Sequence, residues 1–345
     1  MNQRSRLAQI DLIKGAAILA VLALHGLTPR QLTDGWAVLH VGQAVPVFFV
    51  VMGMNAAASL RRRGTTSVRE LYGGGYLAGR AERLLLPFAV VWVIALVAGA
   101  IDGGLHFGPL MLAGVLPLAG PGNYFVTIAF EFALVFPALY ALFVRAPRAT
   151  LVGCFAAAAA FELAAPHVGF LTDAYAYDAS ILRYLAQIGL GVWIALAAGG
   201  GRGRTGWIVA LAPLSVAYLI ALHESPSSFD WLQPGFGIST NFLSAFYAAA
   251  LVIAGLRLFP ARVERAPGVV LAELGKASWH IFLVQVVWFV LDRHRGYDFL
   301  PLHVVVTCAV GYALYRAMDW ATAAVRARGG VSGNPAPVGS GRSGG

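Results

Sequence analysis

The chain has 345 residues, of which 59% are hydrophobic and only 12% charged, with a formal net charge of +9. A soluble domain of average composition carries about twice that charged fraction, so composition excludes the ordinary soluble classes and indicates a polytopic membrane protein. In a soluble protein the basic excess would suggest nucleic acid. In a membrane protein Lys and Arg collect on cytoplasmic loops, and nucleic acid is not an expected partner.

A bilayer span needs about 20 mostly apolar residues. Ten such runs occur, at 8–27, 36–60, 83–101, 122–143, 149–166, 182–198, 206–222, 239–258, 269–291 and 300–322. The first is not a cleavable signal: it has no small-residue cleavage site, and further spans follow. A shorter apolar piece, 108–119, is broken by Pro109 and Pro117 and reads as a re-entrant or interfacial element. With the N-terminus inside, the inner segments and the C-terminal end hold 19 arginines and the outer segments only Arg30, Arg183, Arg293 and Arg295. The expected architecture is therefore an all-α polytopic bundle of about ten transmembrane helices with both termini cytoplasmic. The membrane domain spans 1–328. The tail "GGVSGNPAPVGSGRSGG", 329–345, is Gly/Ser/Pro-rich and expected to be disordered. No internal repeat is evident.

The first span, "DLIKGAAILAVLALHG", carries Asp11, Lys14 and His25 in an otherwise apolar run. At about 100° per residue, Lys14 and His25 fall about 20° apart on one helical face, separated by about 16 Å along the axis, and Asp11 lies near the same stripe. Intramembrane ionisable groups are costly and usually face a bundle interior or a water-filled cavity. A polar path through the protein is one reading. An Asp11–Lys14 interfacial pair, with His25 capping the outer end, is the other.

Farther along, the loop "RRRGTTSVRE" with Arg80 and Arg83 places six arginines at one membrane face. The arginine fork suits phosphate oxygens. Topology alone accounts for Arg61 to Arg63. Arg80 and Arg83 lie three residues apart on one helical face at the mouth of a span. Glu131 is the only carboxylate in the middle of the fourth span, eight residues from Asn123. It is suited either to a polar site or to an interhelical hydrogen bond. Ser278 and Gln285, seven residues apart, face nearly the same way and can line a cavity. Trp279 and His280 read as packing or interfacial groups. The outer loops "LTDAYAYDAS" and "HESPSSFDWLQPGFG" mix carboxylates, hydroxyls and aromatics, as a sugar site would, and as ordinary interfacial loops also do. Cys154 and Cys308 sit inside apolar runs and read as inert thiols. The remaining histidines form no His-x-x-x-His pair or Cys/His cluster, so no metal is expected. There is no serine-nucleophile elbow, P-loop or dinucleotide fingerprint, and "GGGRGR" follows no strand.

"IDLIKGAAILAVLALHG" resembles the N-terminal signature of acyltransferase family 3, integral membrane proteins with an Asp, then Arg or Lys before Gly, then a His eleven residues after the basic residue. Lys14 and His25 stand at those positions. "VPVFFVVMGM" (Val45 to Met54) is similar to the family's second-span pattern, with Met52 where Ser is usual. "RAERLLLP" resembles its Arg-x-x-Arg motif. "GNYFVTIAFEFALVFP" is similar to its aromatic span ending in Phe-Pro. "ASWHIFLVQ" resembles a late motif in which Gln285 replaces the usual His. The resemblance implies an inner- or plasma-membrane enzyme that takes an acetyl or other short acyl group from acyl-CoA, as co-substrate, and places it on a sugar hydroxyl of a glycan or glycoconjugate; the Ala/Gly/Arg bias points to a GC-rich bacterial genome. His25 would act as general base or as a transient acyl carrier, and Lys14 and Glu131 would assist. Lys14, Arg80, Arg83 and Arg61 would hold CoA, and Asp11, Asn123, Ser278 and Gln285 would line the acceptor side. The alternative from another class is a secondary transporter of a sugar-like or anionic solute, which ionisable groups within spans also fit.

Overall fold

The computed structural model describes residues 8–64, 67–102, 111, 114–118, 120–197, 203–229, 238–293 and 299–328. Of these, 88% are helical and none lies in a strand. The long helices are α1 (Ala8–Gly26), α2 (Ala44–Arg63), α3 (Gly74–Asp102), α4 (Tyr124–Arg145), α5 (Pro147–Ala164), α6 (Leu185–Ala197), α7 (Gly203–Glu224), α8 (Ala245–Leu258), α9 (Ala266–Arg293) and α10 (Leu300–Arg328). Each overlaps one of the ten apolar runs. Eight are long and apolar enough to cross a bilayer; the segments containing α6 and α8, Ile181–Ala197 and Phe242–Leu258, are shorter apolar helices. The protein is thus a multi-pass helical membrane protein.

The ends of the helices follow their local sequence. The short helix Pro29–Asp34 starts on a capping box of Thr28 and Gln31, with proline where no backbone donor is needed. Gly64 closes α2 with φ +73°, a left-handed cap that suits glycine. The third helix begins at Gly74, nine residues before the apolar run that marks it, because Arg80 and Arg83 are compatible with helix even though they end the apolar pattern.

Small residues set the closest contacts, as expected where lipid removes the hydrophobic drive between helices. α1 and α9 meet at Gly15 and Gly275: a Cβ on Gly15 would overlap the carbonyl oxygen of Leu271, and one on Gly275 that of Asp11. α2 and α6 meet in the same way at Gly53 and Gly191. Pro137 interrupts the α4 backbone ladder and frees the carbonyl of Ala133. Tyr76 of α3 donates its hydroxyl to that oxygen at 3.1 Å, and Tyr72 donates to the next carbonyl, Leu134. In an apolar medium a freed carbonyl needs such a partner.

Half of the 108–119 piece, the tail 329–345 and residues 230–237 of the second expected outer loop lie outside the described residues. Leu116 and Leu118 are buried, and a Cβ on Gly120 would overlap the carbonyl of Val286, so the chain before α4 lies directly on α9.

Candidate functional site

Six helices surround a cavity of about 1010 Å³. Each presents one stripe to it. On α2 the stripe is Val45, Phe48, Met52, Asn55, Ser59 and Arg62, spaced alternately by three and four residues. On α3 it is Tyr76, Arg80, Arg83 and Pro87, on α4 Phe125, Ala129 and Phe132, and on α10 Tyr315, Asp319 and Thr322. On α1 the lining residues are Ile10, Lys14, Val21 and His25, so Lys14 and His25 do share one open face. α9 contributes Lys276, Ser278, Trp279, His280 and Phe282.

The two ends differ in chemistry. At the arginine-bearing ends of the helices the lining holds Lys14, Arg61, Arg62, Arg63, Arg80, Arg83 and Lys276 against the carboxylates Glu82 and Asp319. Arg80 lies over the rings of Tyr76 (5.4 Å) and Phe132 (6.0 Å). The tyrosine that satisfies the carbonyl freed by Pro137 therefore also supports this guanidinium. Lys14 pairs with Asp11 at 3.1 Å and Lys276 with Glu273 at 2.6 Å, on the facing surfaces of α1 and α9. Arg61 donates to the Ala195 carbonyl at 2.6 Å, capping the C-terminal end of α6 while reaching the cavity edge.

The other end is largely aromatic. Phe48, Phe125 and Phe282 lead to His25, whose ring meets Phe289 edge-on at 6.1 Å. Gly122 borders this end with φ +85°. A Cβ there would lie 3.5 Å from both His25 Nε2 and Gln285 Nε2, and 3.3 Å from Phe282. Gln285 is fully buried and donates Nε2 to the Pro121 carbonyl at 3.1 Å, which pins this turn against α9.

The residues expected at the site thus separate. Lys14, His25, Arg61, Arg80, Arg83 and Ser278 line the one cavity. Asp11 stands behind Lys14, buried, as its ion partner. Gln285 supports the turn beside His25 and does not itself line the cavity. Asn123 is buried in the same turn, its Oδ1 accepting from the Leu116 amide at 3.3 Å. Glu131 does not join His25. It lies six residues after Phe125, about 240° around α4 from the cavity-facing stripe. Its carboxylate accepts from the Ile181 amide at 2.7 Å and holds the turn that leads into α6.

Trp279 and His280 line the cavity as well as packing in the bundle; the 3–4 spacing from Lys276 carries that signal. Asn55 and Ser59 are cavity residues that a search for charges passes over. They were legible as the continuation of the Phe48–Met52 stripe toward Arg62.

The loop 171–180 uses its polar groups internally. Asp173 caps Ala174–Asp178, and Tyr175 bonds Thr127 at 2.7 Å. Tyr177 donates to Glu162. Arg183, counted by sequence among the outer-loop charges, is fully buried. It pairs with Asp178 and Glu162 and lies 4.3 Å from the Tyr177 ring. Burial pushes the Asp178 carboxyl above its usual range, with Arg183 opposing. Among the described residues no group of three or more His, Cys, Asp or Glu gathers as a metal site would require.

A family model described as an acyltransferase domain matches residues 7–316. No curated protein and no solved structure matches the chain significantly. The match takes in every helix that lines the cavity, from Lys14 and His25 on α1 to Tyr315 on α10: the chain belongs to acyltransferase family 3, and it is a membrane acyltransferase.

Proposed function

We propose that the protein transfers acetyl, or a similarly short acyl group, from cytoplasmic acyl-CoA to a hydroxyl of a sugar in a glycan or glycoconjugate, within ten spans whose two ends face the cytoplasm. The observation that carries this reading is the polarity gradient of the cavity: a strongly cationic end and a largely aromatic end that stops at the His25 imidazole. That gradient matches a donor with a polyanionic head, a long neutral arm and a small acyl thioester. Arginine forks at Arg80 and Arg83, with Arg61 to Arg63 at the mouth, suit its phosphates. Lys14, tempered by Asp11, stands about 16 Å below His25 along α1, so the arm would pass it on the way to the thioester.

At the far end the neutral His25 ring takes the proton of the acceptor hydroxyl as that oxygen attacks the thioester carbonyl carbon. The tetrahedral intermediate then collapses, the C–S bond breaks, and the CoA sulfur leaves with the proton returned by the imidazolium. An acyl-histidine formed first and then transferred would use the same geometry. His25 lies in the outer half of its helix, which favours an acceptor reaching it from the outer side of a bacterial cytoplasmic membrane.

The test uses purified full-length protein in detergent with radiolabelled acetyl-CoA, comparing wild type with His25→Ala for CoA binding and for CoA release on adding a glycan mixture. Binding by both proteins with turnover only in wild type is the expected result. A folded His25→Ala protein that releases CoA at the wild-type rate removes His25 from the chemistry. Absence of binding by folded wild type removes the donor and brings a transporter forward.

A further inference from the structure

At the His25 end of the cavity four aromatic side chains from three helices come together: Phe48 of α2, Phe125 of α4, and Trp279 and Phe282 of α9. They form one interlocked collar with Phe125 at its hub. The Phe125 ring lies 6.2 Å from Phe48, 5.1 Å from Phe282 and 6.4 Å from Trp279, and Trp279 stacks on Phe282 at 5.8 Å with their planes 15° apart. Phe49 backs the hub at 5.1 Å and is itself held by a 4.1 Å stack on Tyr184. Rings packed in this way do not move aside singly, because each is the wall of the next.

The Gly122 turn bounds this end of the cavity. Gly122 carries a hydrogen where even a methyl would lie 3.3 Å from Phe282 and 3.5 Å from His25 Nε2. Beyond His25 stands Phe289, edge-on to the imidazole. Methylenes added to an acyl group held at His25 would have to displace one of these rings.

We infer that this collar is an acyl subsite that restricts the donor to short acyl chains, with Phe125 as the residue that sets the limit. The inference rests on the acyl-CoA reading above and goes beyond it, because donor recognition at the arginines and acyl selection at the collar are separate properties. Forcing extra methylenes into a packed site costs enough to weaken binding by about tenfold or more. Truncating Phe125 removes the hub and frees room for a chain a few carbons longer.

The experiment measures displacement of radiolabelled CoA from the full-length protein in lipid nanodiscs by free CoA and by acetyl-, butyryl-, hexanoyl- and octanoyl-CoA. It is run on wild type, Phe125→Ala and Phe48→Ala, so that one variant remains readable if the other fails to fold. In wild type, acetyl- and butyryl-CoA are expected to compete like free CoA, and hexanoyl- and octanoyl-CoA about tenfold less well or worse. In Phe125→Ala the ratio of hexanoyl to acetyl affinity is expected to rise about tenfold, and in Phe48→Ala in the same direction. Wild type that binds octanoyl-CoA as tightly as acetyl-CoA overturns the collar and leaves the donor reading standing. Folded variants that keep the wild-type cutoff also overturn it. If folded wild type binds no labelled CoA, the donor reading fails, and the collar inference falls with it.

Discussion

The Gly122→Ala substitution probes the tightest point of the site. Gly122 has φ +85°, a backbone region that costs a residue with a side chain about 1–2 kcal/mol. The added methyl would sit 3.3 Å from Phe282, so that ring must give by a few tenths of an ångström, which adds little. The expected loss of stability is therefore about 1–2 kcal/mol, a drop in Tm of a few degrees for a chain of this size. The effect on chemistry should be larger. The methyl would stand 3.5 Å from His25 Nε2, in the space an acceptor oxygen must enter to come within about 2.6–3.2 Å of the same nitrogen. Displacing reacting groups by about 1 Å commonly costs on the order of 10²-fold in rate. The arginine end lies many ångströms away, so CoA binding should stay within about threefold of wild type, distant sites being nearly independent. The assay pairs thermal unfolding in detergent with radiolabelled CoA binding and with CoA release in the presence of glycan. A Gly122→Ala protein that binds and turns over like wild type would refute the assignment of the Gly122 side of His25 as the reacting face.

Substitutions at three further positions test other parts of the molecule. Arg80→Ala should weaken CoA binding about 10- to 100-fold, the range for loss of a hydrogen bond to a charged group, with Arg80→Lys intermediate because the charge remains and the fork is lost; unchanged binding by Arg80→Ala would place the phosphates elsewhere. Gly275→Val should prevent close packing of α1 on α9, at a cost of about 3 kcal/mol or more, and give aggregated or degraded protein on size-exclusion chromatography; a monodisperse protein with wild-type Tm would mean the two helices do not meet at this glycine. Glu131→Gln keeps an oxygen able to accept from the Ile181 amide, so turnover should remain within about threefold of wild type; loss of turnover at unchanged Tm would return Glu131 to the chemistry.

Much of the architecture was legible in the chain because a bilayer imposes strong rules. Length, apolarity and the scarcity of charge within spans located every long helix, although α3 begins nine residues before its apolar run, α2 and α8 begin eight and six residues after theirs, and α10 continues six residues past its own. Helical phase alone put Lys14 and His25 on one face, and both open onto the cavity. The same arithmetic applied to Phe48, Met52, Asn55, Ser59 and Arg62 exposes a second stripe, so those residues were readable too once apolar and polar positions were counted together.

What the sequence could not supply was the far partner of each polar group. One helix has a computable phase, but its rotation relative to its neighbours is set by side-chain packing, here by the glycine contacts of α1 with α9 and of α2 with α6. That rotation turns Glu131 toward Ile181 and away from His25. It draws Arg183 out of an apparent outer loop into a buried cluster with Glu162 and Asp178. It sets Gln285 against the Pro121 carbonyl, so that Gly122 borders the imidazole. Composition and periodicity determined that this chain is a helical membrane protein with a charged stripe in its first span. Only the tertiary packing decided which charges share a cavity, because that depends on contacts between residues more than a hundred positions apart.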